Sequence, residues 1–208
     1  NSTKRQVYNY IMNSPSRRVV EHMELVEQAD ETFKLMHKEN KYSIVSDKET
    51  FYKRTILFLP DEDVQLGSYL QYDNKVYLAT NISDVEGYPQ AFVDFCNFDL
   101  LIKGKEIKIE VGKDKLGKPQ YDYISHDYTM PAVVTSKIYS TLYNSQMPLP
   151  VGAIMLYIPY HEKIDIPMNY EFEMYGDSYQ VTSNPKDKLL KDKNGKLYGY
   201  LEIRGQRI

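Results

Sequence analysis

An internal repeat is the feature that most constrains this chain. The run Ile56-Leu57-Phe58-Leu59-Pro60 has a counterpart in Met155-Leu156-Tyr157-Ile158-Pro159, each an apolar strand ended by proline. A charged loop with two spaced aliphatics follows each, holding Val64 and Leu66 in one copy and Ile164 and Ile166 in the other. Next come an aromatic strand (69–72 or 170–175), a tight turn (Asp73-Asn74 or Gly176-Asp177) and a closing strand with a tyrosine (Tyr77 or Tyr179). A repeated supersecondary unit of this kind cannot cover its own sheet edges. Each copy must close into a barrel or pack on its twin. The expected fold is therefore mainly β, with two related small antiparallel β-barrel or sandwich units.

The flanking segments add detail. Residues 2–12 read as a short N-terminal helix, with Val7, Tyr10 and Ile11 on one face, Ser2 placed to cap, and Ser14-Pro15-Ser16 as the break. Residues 17–38 fit two patterns. Val19, Met23, Val26, Phe33 and Met36 make a helical stripe, while Met23/Leu25 and Phe33/Leu35 alternate as strands do around a break at Gln28-Ala29-Asp30. Glu86-Gly87 turns the chain into a strand over 91–101 with Cys96 near its middle. Residues 103–131 are different, rich in Lys and Gly and then in alternating aromatics. They read as an extended hairpin arm. Asn194-Gly195 marks a last hairpin. The divisions expected are a lead-in over 1–52, a first β unit over 53–102, the arm over 103–131 and a second β unit over 132–208.

Bulk properties exclude several classes. The 208 residues suffice for a real core without metals or disulfides, and the single cysteine, Cys96, allows no internal disulfide. A formal charge of −3 argues against a simple nucleic-acid binder. No run approaches the ~20 apolar residues of a membrane span, and residues 1–10 lack the apolar core of a signal peptide. A protein made and used inside a cell, away from membranes, is expected. The acids are concentrated in 58–100, which holds Asp61, Glu62 and Asp63 and five further carboxylates against Lys75 alone.

Catalytic patterns fail on spacing. His161-Glu162 opens like the zinc-protease signature, but position 165 is Asp165, and Ile166-Pro167 would break the helix that the motif requires. Ser125-His126-Asp127 has the residue types of a triad, but consecutive residues cannot converge as triad groups do. The four histidines and Cys96 have no ligand spacing, and Gly104, Gly112 and Gly117 do not form a phosphate loop. Asp61-Glu62-Asp63 lacks the glycine and the terminal Glu of a calcium loop. No catalytic residue, cofactor or metal is expected. A hydrolase or metal enzyme is the alternative from another class.

The segment 53–101 carries a resemblance. Its apolar strand, Pro60-Asp61-Glu62-Asp63, Gly67-Ser68-Tyr69-Leu70, Tyr72, Tyr77-Leu78 and Phe95-Cys96-Asn97 are similar to minor structural proteins from the head–tail joining region of tailed bacteriophages. Ser68 stands where an Asp is expected, and the Trp expected after the Cys-Asn strand is absent. The resemblance implies a neck protein, a head-closure or stopper-like component located in the virion. It would form a ring homo-oligomer between portal or adaptor and tail proteins and help retain packaged DNA. A tail or baseplate component is the alternative. The resemblance tilts 17–38 toward strands. Under this reading Asp61, Glu62 and Asp63 form a channel-facing acidic loop in passive contact with DNA, and Lys113, Lys115, Lys118, Tyr121 and Tyr123 form an inter-subunit arm.

Overall fold

The computed structural model describes residues 5–6, 9–10, 13–27, 33–46, 53–103, 106–124, 127–140 and 145–208, with side chains left aside at 137–140 and 145–148. Arg5, Gln6, Asn9, Tyr10 and Asn13 have helical backbone. The other positions of the expected 2–12 helix lie outside the described residues. So do Gln28-Ala29-Asp30, Ser125 and His126.

Six strands close a barrel. They are β1 (Arg17–Glu27), β2 (Phe33–Val45), β3 (Lys53–Leu57), β4 (Tyr69–Tyr72), β5 (Lys75–Val85) and β6 (Tyr88–Phe95), in the order β1-β2-β3-β6-β5-β4. The rungs Glu21↔Gln71, His22↔Leu70 and Met23↔Tyr69 complete the circle. Two-residue turns fix the register. Asp73 and Asn74 both take positive φ (51° and 57°), as do Glu86 and Gly87 (55° and 88°), and this twist matches that of the strands they join.

The chain continues as β7 (Phe98–Lys103), the hairpin β8 (Ile107–Lys113) and β9 (Pro119–Ile124), and β10 (Asp127–Thr135). Then come the hairpin β11 (Lys137–Ser140) and β12 (Ser145–Pro148), β13 (Ala153–Pro159), β14 (Glu171–Met174) and β15 (Asp177–Val181). The short hairpin β16 (Leu190–Lys191) and β17 (Leu197–Tyr198) precedes β18 (Tyr200–Arg207). Six of these strands form a second sheet, β7-β10-β13-β18-β15-β14. That is the strand order of the barrel, with β8–β9, β11–β12 and β16–β17 inserted as three hairpins.

The ladders superpose rung for rung. Ala79↔Val93 corresponds to Val181↔Gly205, Arg54↔Val93 to Ile154↔Gly205, and Ile44↔Leu57 to Val133↔Tyr157. Arg18↔Ser43 corresponds to Phe98↔Ala132. Outside the strands, Gly67 N–H donates to Ala79 and Asn169 N–H to Val181, both from positive φ (82° and 67°). The second sheet is not closed by a ladder. Lys103 N–H instead donates to the Tyr170 hydroxyl at 2.8 Å, and the Phe98 and Tyr175 rings meet at 5.0 Å.

These registers correct several expectations. The repeat extends back to β1 and β2, so the barrel includes residues assigned to the 1–52 lead-in. β7 and the first half of β10 belong to the second sheet, so sheet membership does not follow the boundaries at 102 and 131. Residues 91–101 form two strands that part at Cys96-Asn97, where the chain leaves the barrel. Pro159 corresponds to Leu59 and Pro60 to Tyr160, a shift of one residue from the sequence match. The second tight turn is Tyr175-Gly176, because Met174 pairs with Asp177.

Each unit has its own core, centred on Ile56, Phe58, Leu70 and Tyr77 in the barrel and on Leu156, Ile158, Met130 and Phe172 in the second sheet. A third cluster (Tyr69, Leu78 and Val133, flanked by Met23, Leu35, Cys96 and Tyr157) seals the seam between them. There the Tyr69 hydroxyl donates to the Pro131 carbonyl. Asn97 clamps β10 with both side-chain atoms: Val134 N–H donates to Oδ1 at 2.8 Å, and Nδ2 donates to the Val134 carbonyl at 3.1 Å. At the far side of the seam two backbones cross at Gly67 and Gly199. A Cβ on Gly67 would overlap the Gly199 carbonyl.

Candidate functional site

Among the described residues no cluster of three or more His, Cys, Asp or Glu could hold a metal ion. His161 and Glu162 lie in a loop, not a helix. Burial pushes the Cys96 thiol up, with the Asp94 and Asp99 carboxylates adding to the effect, so a reactive thiolate is disfavoured. No helix among the described residues is long and apolar enough to cross a membrane. A concavity of about 920 Å³ lies between the units and is lined by His22, Ser68, Tyr69, Tyr160, His161 and Tyr198 among others.

The surface is more informative. Every residue of β8 and β9 is exposed. On this ribbon Ile107 pairs with Ile124, Lys108 with Tyr123, and Glu110 with Tyr121. Val111 and Tyr123 are 57% and 60% exposed, and Leu116 at the tip is 84% exposed. A two-stranded hairpin with both faces in water is marginal by itself. Its visible supports are the Lys108 ammonium 3.9 Å over the Tyr121 ring and a tightly bonded tip. In that tip Asp114 Oδ1 accepts from Leu116 N at 2.8 Å and Lys118 N at 2.9 Å. The same loop recurs at 192–196, where Asp192 Oδ1 accepts from Asn194 N and Lys196 N. Both loops read Asp-Lys-x-Gly-Lys, a signal present in the sequence that patterning for strands passes over. Lys113, Lys115, Lys118, Tyr121 and Tyr123 thus lie together on one projecting arm.

The acidic loop is divided in its roles. Glu62 turns inward to the Lys41 ammonium at 2.8 Å, which also meets Glu39 at 2.9 Å and donates to the Asp63 carbonyl at 3.1 Å. The Lys41 side chain is 4% exposed, so it fastens the loop across the end of the barrel. Burial works against its charge, but the Glu62 and Glu39 carboxylates outweigh that and raise its pKa. Asp61 and Asp63 face solvent without an ion pair among the described residues. Beside Lys41, His22 is 7% exposed, and desolvation reinforced by the Lys41 charge lowers its pKa to about 4. His22 Nε2 and Ser43 Oγ are buried without hydrogen-bond partners among the described residues. Sequence patterning missed this polar interior, because alternation assigns the inward face to the larger apolar residues Tyr42 and Ile44.

One further contact surface involves β1 and β2. Their hairpin runs past the barrel and straps onto the second unit. Leu25 and Phe33 pack on the second core, and the Phe33 ring meets Tyr128 at 4.4 Å and His161 at 4.8 Å. Glu27 forms an ion pair with Lys163.

No curated protein and no solved structure matches the chain. The family model of the YomX C-terminal domain, a phage-derived family, matches residues 31–202. That span takes in β2 to β18 apart from the last residues of β18. The chain belongs to the YomX C-terminal domain family.

Proposed function

We propose that this phage protein is a structural component of the virion neck, forming a ring between portal or adaptor and tail that helps retain packaged DNA and attach the tail. The observation that carries the reading is the arm: a ribbon exposed on both faces, bearing Ile107, Ile109, Val111, Leu116, Tyr121 and Tyr123. Exposed aromatic and aliphatic rows on a projecting hairpin suit an inter-subunit contact, and a head-to-tail contact closes into a ring. Both units are filled by side chains, so DNA would pass between subunits around the ring axis, not through a barrel.

The test is electron microscopy of the particle with mass spectrometry of its purified neck. The reading expects density for this chain in several copies around the axis between head and tail. Particles that lack the chain overturn it. Density confined to the baseplate favours the tail-component alternative.

A further inference from the structure

The two units are repeats, so a contact made by one indicates the contact its twin is built to make. The hairpin of β1 and β2 lies on the second unit, and its ring and ion-pair contacts there include Tyr128 on β10, and His161 and Lys163 in the loop after β13. The ladders assign each of these a twin in the barrel. Tyr128 pairs with Ile102 as Glu39 pairs with His22. The loop after β3 follows the same register as the loop after β13, so Asp61 corresponds to His161 and Asp63 to Lys163, with buried Val64 matching buried Ile164. The twin of the hairpin is the segment between β7 and β10, which is the arm.

The chemistry at these positions is inverted. The second unit offers an aromatic and basic rim, and the hairpin that covers it brings Phe33 and the carboxylate of Glu27. The barrel offers Glu39, Asp61 and Asp63 at the same three places, an acidic rim. The arm tip carries Lys113, Lys115 and Lys118, all exposed and without an ion pair among the described residues, while its one carboxylate, Asp114, is turned to the loop's own N–H groups. Within one chain the strap has been used on the second unit, so the barrel's rim is left for the arm of another copy.

We propose that the arm of one copy docks on the acidic rim of the next copy's barrel, its tip lysines against Asp61 and Asp63, as the strap docks on the second unit within the chain. The contact is head-to-tail, since arm and rim are different surfaces, and it can propagate or close. It rests on the neck reading only in that a ring is the closed form it would take.

The test uses two charge reversals in the full chain. One is Asp61→Lys with Asp63→Lys, and the other is Lys113→Glu with Lys115→Glu and Lys118→Glu. All five side chains are exposed, and far-UV circular dichroism checks that each variant folds. In sedimentation velocity each reversal alone should weaken self-association by about tenfold or more. The two variants mixed, or combined in one chain, should associate again. A second measurement needs no mutation: carbodiimide coupling in an equal mixture of light and heavy-isotope wild-type chains should join tip lysines to Asp61 or Asp63 between light and heavy peptides. Association untouched by the rim reversal, a mixture that does not recover, or a wild-type chain still monomeric at ~1 mM overturns the proposal. Particles lacking the protein would end the neck reading and leave this contact standing. Particles that contain it, with association indifferent to both reversals, would do the opposite.

Discussion

The barrel and the second sheet place six strands in the same order, yet they fill matching interior positions with different chemistry. At three inward positions the barrel has His22, Lys41 and Ser43, where the second unit has Ile102, Met130 and Ala132. The difference goes with closure. The barrel's ladder closes completely, and its end is fastened by the charged loop that Lys41 holds. The second unit lacks that last ladder and is covered by the strap, so its end is apolar and the aromatic Phe33 packs there. One topology thus tolerates either a polar, self-closed end or an apolar end that a neighbouring hairpin covers. The predictions that follow test how far the two units can be exchanged, beginning with the largest effect.

Gly67→Ala should be the most damaging single change. Gly67 and Asn169 are twins with positive φ, and at Gly67 a Cβ would meet the backbone of Gly199. An alanine there combines strained φ with a collision against the Gly199 carbonyl, which cannot swing aside as a side chain can. A loss of about 4 kcal/mol or more is expected in urea unfolding. Asn169→Gly, at the twin position, should change stability by less than about 1 kcal/mol. Equal effects at the two positions would remove the crossing as the distinguishing feature.

The His22 site sets the pH dependence. Folding lowers its pKa from 6.5 to about 4, chiefly by desolvation and then by the Lys41 charge, while the Glu39 and Glu62 carboxylates oppose and the Lys38 charge assists. Between those values the unfolded chain takes up the proton and the folded chain does not. The stabilisation is complete above about pH 6.5 and is lost as pH falls toward 4, up to about 3 kcal/mol. His22→Ile, which installs the residue of the second unit, should flatten that part of the profile. Urea midpoints between pH 7 and 4 for both proteins check it. An unchanged slope would mean that other groups carry it.

Next in size is an exchange of volume. Val93 and Leu70 belong to the barrel's core, and their twins are Gly205 and Phe172. A Cβ on Gly205 would lie 2.9 Å from Phe172 Cζ and 3.2 Å from Ile154 Cγ1. Gly205→Val should cost about 2 kcal/mol by overpacking, and adding Phe172→Leu should recover about half of it. A double-mutant cycle that shows no coupling would mean the two sizes are not matched to each other.

The strands β3 to β5 and β13 to β15 were legible because turn residues and Tyr77/Tyr179 mark them locally. The rest of the repeat was hidden for physical reasons. Residues 17–38 satisfy a helical and an alternating pattern at once, and only pairing with β4 and the second core selects strands. Strand order depends on non-local ladders that no short window contains. The arm was legible from its Lys, Gly and Tyr content, since nothing in the fold overrides an exposed hairpin. The acidic run was legible as a loop but not as a lid, because Glu62 turns inward only to meet Lys41. In the sequence the Cys96-Asn97 step reads as the middle of a strand, because its role lies in the side-chain clamp on Val134, which backbone propensity does not encode.

The smallest expected effect is the most direct test of the polar interior. Ser43 is fully buried in the barrel, and its hydroxyl has no hydrogen-bond partner among the described residues, whereas its twin Ala132 fills the same inward place without a polar atom. An unpaired buried hydroxyl costs desolvation with nothing in return, and the change to alanine removes one small atom and leaves no cavity large enough for water. Ser43→Ala should therefore be neutral or stabilise by up to about 1 kcal/mol. It should leave the pH profile set by His22 in place. A destabilised variant would indicate that the hydroxyl is satisfied in solution, by water admitted at the barrel's polar end, and that end would then be wetter than its counterpart in the second unit.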